Sequence, residues 1–270
     1  MRAFTFFLTC FIFNISISAC AQEVADDREW EPEDTEFYEP VPPLVDADGG
    51  FIDPPSDALI LFDGTDFSGW ESANGGDVEW ALEDDAMTVA PRSGNIVTRD
   101  NFGSIQLYVE WKTPSEIVGD GQGRGNSGVF LQRRYEVQVL DSYENETYVN
   151  GMAGSIYKQY APLVNAARPP GEWQNYNIIY EAPEFDANDE LVTPAYLTVF
   201  WNGVLIHHRA EVKGDTEYIG PADYSAHGDD GIVLQDHGDL ISFRNIWIRK
   251  LDESPVWNHE GFYPEREESR

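Results

Sequence analysis

The feature that most narrows the fold of this chain is a period of two. Apolar residues recur at every second position at Ile105, Leu107, Val109 and Trp111, at Val129 and Leu131, at Val137 and Val139, and at Ile178 and Tyr180. The same spacing returns at Leu197, Val199 and Trp201. Successive side chains of a strand point to opposite faces, so these runs read as strands with one face in a core. Few windows after Pro54 carry the 3.6-residue spacing of a helix. Turn signals separate the runs: Asp63-Gly64, Asn202-Gly203 and a Gly-rich loop over 119–128. Many short strands joined by such turns predict an all-β protein, a sandwich or a barrel. The two cysteines, Cys10 and Cys20, precede all of these runs, so no disulfide holds the folded part. An apolar core must do so, and the 8 Trp, 13 Tyr and 15 Phe supply surface for one.

The ends of the chain differ from its middle. Residues 1–20 carry Arg2, an apolar run from Phe4 and the small residues Ser18 and Ala19 before Cys20. This reads as a secretory signal, too short to span a bilayer. Ile17, Ser18, Ala19 and Cys20 resemble a bacterial lipobox, in which the cysteine is acylated and becomes the mature N-terminus. The expected product is an exported lipoprotein of the periplasm or outer membrane, attached to the membrane by the lipid on Cys20. The competing reading is ordinary cleavage and a soluble periplasmic protein. Residues 22–50 hold eleven Asp or Glu against Arg28 alone, with prolines and no apolar period. Like charges repel and little can be buried, which predicts a disordered acidic tether over 21–57. A folded domain over 58–251 and a C-terminal tail over 252–270 complete the organisation.

A formal net charge of −32 excludes a nucleic-acid partner, because phosphate backbones are held by clustered Lys and Arg. Polyanions are poor ligands for the same reason, and a neutral substrate fits better.

Period-two geometry sorts the polar side chains. Gln106, Tyr108, Glu110 and Lys112 share the face opposite the apolar residues of 105–112, and Glu136 and Gln138 do so in 135–140. In the run GIVLQDHGDLISFRNIWIRKL (231–251), Val233, Gln235 and His237 fall on one face and Ile232 and Leu234 on the other, with Arg244 nearby in sequence. Arg124 and Asn126 sit in the Gly-rich loop, and Tyr157 and Lys158 follow Gly154. A solvent-facing sheet would also alternate in this way, and a hydrogen-bonded corner would also hold Gln, His and Arg. Trp80, Trp111, Trp173, Trp201 and Trp247 read as core residues rather than sugar platforms.

Six ordered blocks carry a resemblance: LFDGTDFSGW (61–70), GQGRGNSGVFL (121–131), YEVQVLDSYEN (135–145), AGSIYKQYAPLVNA (153–166), PPGEWQNYNIIY (169–180) and LQDHG followed by FRNIWIR in the 231–251 run. Together they resemble the 3-keto-disaccharide hydrolase domain family. The resemblance implies a concanavalin A-like jelly roll whose curved sheet cups a carbohydrate. It also implies a substrate already oxidised at C3 by a separate sugar 3-dehydrogenase. The ketone acidifies the C2 proton; a base removes it, the enolate expels the C1 substituent, and water then adds.

The expected catalytic residues are Glu136 or His237, both within the matched blocks, as base, with Glu110, from the polar face of 105–112, as the other carboxylate. Arg124, Arg244 or Lys158 would stabilise the enolate. Asn126, Gln138, Asp141, Tyr157 and Gln235 complete the expected substrate-binding set. No cofactor is expected. A divalent metal on Glu110, Glu136 and His237 is the minority reading, because the sequence shows no HExxH or comparable spacing. Two other function classes compete. One is an ordinary glycoside hydrolase with Glu110 and Glu136 as paired carboxylates; the other is a non-catalytic, lectin-like sugar-binding module.

Overall fold

Among the described residues fifteen strands carry the alternation into three dimensions. They are β1 (Leu59–Phe62), β2 (Trp70–Ser72), β3 (Ala81–Glu83), β4 (Ala86–Thr88), β5 (Ile96–Thr98), β6 (Ile105–Lys112), β7 (Ser127–Leu131) and β8 (Tyr135–Val139). There follow β9 (Gln174–Glu181), β10 (Glu184–Phe185), β11 (Leu191–Thr193), β12 (Tyr196–Trp201), β13 (Val204–Glu211), β14 (Val233–Leu234) and β15 (Ser242–Lys250). The computed structural model describes residues 31–36, 38, 39, 41 and 53–251. The segment read as a signal, with Cys20, most of the acidic stretch and the tail 252–270 lie outside the described residues.

Two antiparallel sheets make a jelly-roll β-sandwich, as the alternation and the resemblance led one to expect. The larger sheet runs β13-β12-β9-β6-β15-β4-β3, with β1 also paired to β15. The smaller runs β2-β5-β14-β7-β8. Leu107, Val109 and Trp111 of β6 and Val129, Val137 and Val139 of β7 and β8 are fully buried in one core. Each such side chain contributes about 1.5–3 kcal/mol when withdrawn from water. Polar ties also bridge the sheets: the Tyr176 hydroxyl donates to the Gln138 carbonyl at 2.7 Å and the Tyr180 hydroxyl to Gln132 Oε1 at 2.6 Å. Trp80, Trp111, Trp201 and Trp247 are buried as expected, whereas Trp173 is half-buried beneath Arg244 and Lys112.

Two local departures from regular pairing decide where functional side chains go. In β15, Arg244 faces Glu110 and Trp247 faces Tyr108, so one extra residue bulges between them, with Asn245 in the left-handed region at φ +45°. The bulge turns both Arg244 and Asn245 toward Glu110. In the smaller sheet, β14 ends after Leu234. The Gln235 amide still donates to the Gly128 carbonyl, but Asp236 then accepts the Gly238 amide and turns the chain away. His237 therefore leaves the sheet, where the period of two had placed it beside Val233 and Gln235, and stands exposed in a loop.

Candidate active site

Register across β14, β7 and β8 builds the floor of a cavity on the outer face of the smaller sheet. Val233 pairs with Phe130, which pairs with Glu136; one step along, Gly128 pairs with Gln138. Tyr135, Val137 and Val139 point the other way into the core. The cavity holds about 530 Å³. Glu136, Gln138, Phe130 and Gln235 form its floor, Gln122 and Asn126 one wall, and Tyr148 and Tyr157 another. Thr216 and Tyr218 close the third side, while His237 stands at the mouth and Glu36 reaches in from the N-terminal stretch.

Segment 154–157 lines the free edge of β8. Gly154 N–H donates to the Gln138 carbonyl, Gln138 N–H to Ser155, and Tyr157 N–H to Glu136. This edge pairing sets Tyr157 beside Glu136. The hydroxyls of Tyr157 and Tyr148 share a hydrogen bond of 2.7 Å. Burial raises both phenols, Tyr157 to about 12, so they remain protonated hydrogen-bond donors at neutral pH.

Glu136 is the unusual member. It is 4% exposed, and no described residue donates a hydrogen bond to its carboxyl group. Burial raises its pKa from the ordinary carboxylate value to about 8. Its carboxyl occupies the space above Gly128: a Cβ at that glycine would collide with Glu136 Oε1 and the Phe130 ring. Around it the amides are organised. Gln138 Nε2 donates to Asn126 Oδ1 at 2.9 Å, Asn126 Nδ2 to the Gln122 carbonyl at 2.8 Å, and the Asn126 amide to Asp239 at 2.7 Å.

The structure divides the residues singled out from sequence. Glu136, His237, Asn126, Gln138, Tyr157 and Gln235 meet in this cavity. Glu110 and Arg244 do not. They belong to the larger sheet and line a separate hollow with Asn245 and Asp63. Glu110 accepts from Arg244 Nε at 2.7 Å and Asn245 Nδ2 at 2.8 Å, which makes it a satisfied structural carboxylate. The pairing of Glu110 with Glu136, and a metal set of Glu110, Glu136 and His237, are therefore not assembled. Among the described residues no group of three or more His, Cys, Asp or Glu is placed to hold a metal.

The expected cations also stand elsewhere. Arg124 is spent on Asp141 at 2.7 Å and on the carbonyl of Tyr143 at 2.9 Å, so both expected ligands instead brace the Gly-rich loop. Lys158 is buried behind the Tyr148 wall, its ammonium donating to the Pro32 carbonyl at 2.6 Å. Among the described residues no Lys or Arg lines the cavity. Sequence reasoning missed Gln122, Phe130, Tyr148, Thr216, Tyr218 and Glu36. A usable signal existed for Phe130, two residues after Gly128 on the same face; the others arrive on loops without a period.

Comparison with known proteins fits this geometry. The model of the 3-keto-alpha-glucoside-1,2-lyase-like domain matches residues 57–249. The chain belongs to this family. A 3-keto-disaccharide hydrolase of Bacteroides thetaiotaomicron is 26% identical over 249 residues, covering 77% of this chain and 80% of the relative. A Parabacteroides distasonis protein of known crystal structure, provisionally named a glycosyl hydrolase, is 51% identical with a TM-score of 0.74 and covers 81% of this chain and 96% of that one. A second protein from the same organism, named in the same way, is 25% identical with a TM-score of 0.54, over 73% of this chain and 94% of its own. Every cavity residue except Glu36 falls inside the range matched to the 3-keto-alpha-glucoside-1,2-lyase-like family.

Proposed function

We propose that this protein cleaves glycosides whose glucose unit carries a ketone at C3, by deprotonating C2 and eliminating the substituent at C1. The observation that carries the reading is Glu136, a buried carboxyl to which no described residue donates a hydrogen bond, in a cavity whose other lining residues, apart from Glu36 and His237, are uncharged. A neutral polyhydroxylated ligand suits such walls, and the family name, a 1,2-lyase, describes the elimination half of the reaction.

Ionised Glu136 takes the C2 proton. Its raised pKa makes it a stronger base than an ordinary carboxylate, nearer in basicity to the carbon acid beside the ketone. The electron pair left on C2 moves onto the C3 oxygen as an enolate, which accepts hydrogen bonds from protonated Tyr157 or Tyr148. Collapse of the enolate forms the C1–C2 double bond and breaks the bond from C1 to the leaving oxygen, which takes a proton from His237 at the mouth. Water adds its hydroxyl to C1 as its proton returns to His237, C2 regains its proton from Glu136, and 3-keto-glucose is released with the alcohol. Gln138, Asn126 and Gln235 hold the ring hydroxyls. This chemistry requires an upstream sugar 3-dehydrogenase, and the signal-like segment ending in a lipobox-like Cys20 supports a location on the exported side of a membrane.

The test is solvent-deuterium exchange at C2 of a 3-keto-glucoside, together with cleavage, in the wild type and in Glu136→Gln. Losing the base should lower both rates roughly 10²–10⁴-fold. A Glu136→Gln variant that exchanges and cleaves at the wild-type rate would remove Glu136 from the mechanism. Equal cleavage of the unoxidised disaccharide would return the protein to ordinary glycoside hydrolysis, and binding without turnover would make it a lectin.

A further inference from the structure

The cavity has one wall from outside the family domain. The stretch 31–38 carries a 3-10 turn, Pro32–Thr35, and brings Glu36 to the cavity, although the family match begins at residue 57. Nothing in the composition of this acidic segment favours its settling on a protein of net charge −32. A specific partner offsets that repulsion. Lys158, with its side chain only 3% exposed, gives its ammonium to the Pro32 carbonyl at 2.6 Å and to Glu36 Oε1 at 3.4 Å, above the rings of Tyr148 and Tyr218. The edge of the Tyr38 ring packs on Tyr148 at 6.5 Å between centroids, and its hydroxyl donates to Glu36 Oε2.

Residues of the family domain hold the backbone of this lysine. Lys158 sits at φ +58°, held there by its amide on the Asn150 carbonyl at 2.7 Å and by Asn150 Nδ2 on its own carbonyl at 3.0 Å. An ammonium buried in that position is costly unless paired, and the strap supplies the pair.

From this we infer that Glu36 is a specificity-determining residue, a substrate-contacting carboxylate that the N-terminal stretch adds to the cavity to select uncharged sugars. The inference rests on the functional reading above for the identity of the sugar. A carboxylate offers about four acceptor sites, and its two present partners leave room for hydroxyls of the bound glycoside. The same charge repels a glycoside bearing a uronate. Lys158 and Tyr38 act as positioning residues that hold the strap in place.

The experiment uses the full chain and steady-state kinetics on two probes, a 3-keto-glucosyl-glucose and a 3-keto-glucosyl-glucuronate. Glu36→Gln and Glu36→Ala should raise KM for the neutral probe about tenfold, the loss of one charge-assisted hydrogen bond, with kcat changed less than about threefold. Both should narrow the preference for neutral over acidic probe, and Glu36→Lys should reverse it. Tyr38→Ala and Lys158→Met should reproduce the KM effect, with Lys158→Arg restoring part of it. Hydrogen exchange of the 31–36 amides in the ligand-free chain reads the strap without activity; they should be protected in the wild type and exposed in Lys158→Met. Unchanged or lowered KM in the Glu36 variants, or unprotected strap amides in an active wild type, would overturn the inference. Protected amides in a wild type that leaves both probes uncleaved would count against the functional reading and leave the docked strap standing.

Discussion

Two carboxylates buried in the two sheets of this sandwich meet opposite fates. Glu110 on the larger sheet is 1% exposed and lies between Arg244 and Asn245. Glu136 on the smaller sheet is 4% exposed and faces a cavity in which no described residue donates to its carboxyl, and burial raises its pKa to about 8. Burying a carboxyl is a cost in both places. On the larger sheet a cation and an amide offset that cost and the group becomes part of the structure. On the smaller sheet it stands uncompensated, which is how a protein keeps a reactive group at the expense of stability.

Exchanging each carboxylate for a neutral residue should break this contrast in opposite directions. The largest effect expected is the loss of roughly 10²–10⁴ in turnover of a 3-keto-glucoside by Glu136→Gln. The same variant should be more stable than the wild type at pH 8, by about 1–3 kcal/mol in denaturant unfolding. The sign follows from the raised pKa. As pH rises from about 4.5 to about 8 the unfolded chain ionises Glu136 while the folded chain does not, so stability is lost through that window. Glu110→Ala should do the reverse. It removes the buried carboxylate to which both Arg244, 28% exposed and stacked on Trp173, and Asn245 donate, and should cost about 2–3 kcal/mol while turnover per folded molecule stays within about twofold. A Glu110 variant that folds stably and loses turnover would place the chemistry on the larger sheet. Next in size is Gly128→Ala, whose Cβ would push the Glu136 carboxyl from its place; a fall in kcat of about tenfold or more is expected, with a smaller change in KM.

Much of the sandwich was legible because period-two alternation is a local property of β6, β7, β8, β9 and β12. The same rule put Glu136 and Gln138 on one face, and they share the cavity floor. It could not separate Glu136 from Glu110, because both are polar residues flanked by apolar ones. What distinguishes them is Arg244, 134 residues from Glu110, aimed by a bulge at Asn245 that leaves no alternation signal. Strand length failed in the same way at His237, where an Asp236–Gly238 turn ends β14 early. Arg124 and Asp141 lie in blocks that carry the resemblance, yet they pair with each other outside the lining of this cavity, since a motif marks position before role. Acidity made residues 31–36 read as solvated tether; what they touch, Lys158 on Pro32 and Glu36, and the neighbouring Tyr38 on Tyr148, is tertiary.

The smallest effect separates the cavity floor from the edge strand that braces it. His207 of β13 is 4% exposed, and its Nε2 stands 2.8 Å from the Gly154 carbonyl; since a carbonyl only accepts, Nε2 carries the proton. Burial lowers its pKa to about 4, against the weaker pull of that carbonyl. The unfolded chain therefore gains a proton near pH 6.5 that the folded chain refuses, and stability falls as pH drops from about 6.5 to about 4. Glu136 works in the other direction from about 4.5 upward, so in the wild type the two slopes nearly cancel between pH 4.5 and 6.5. Removing Glu136 uncovers the histidine. Glu136→Gln should lose about 1 kcal/mol between pH 6.5 and 5.5 by denaturant unfolding, where the wild type changes little, and adding His207→Gln should flatten the curve again. A wild type that loses stability as steeply as Glu136→Gln over that interval would mean that Glu136 ionises in the folded state at an ordinary carboxylate pH, and the contrast between the two sheets would lose its electrostatic basis.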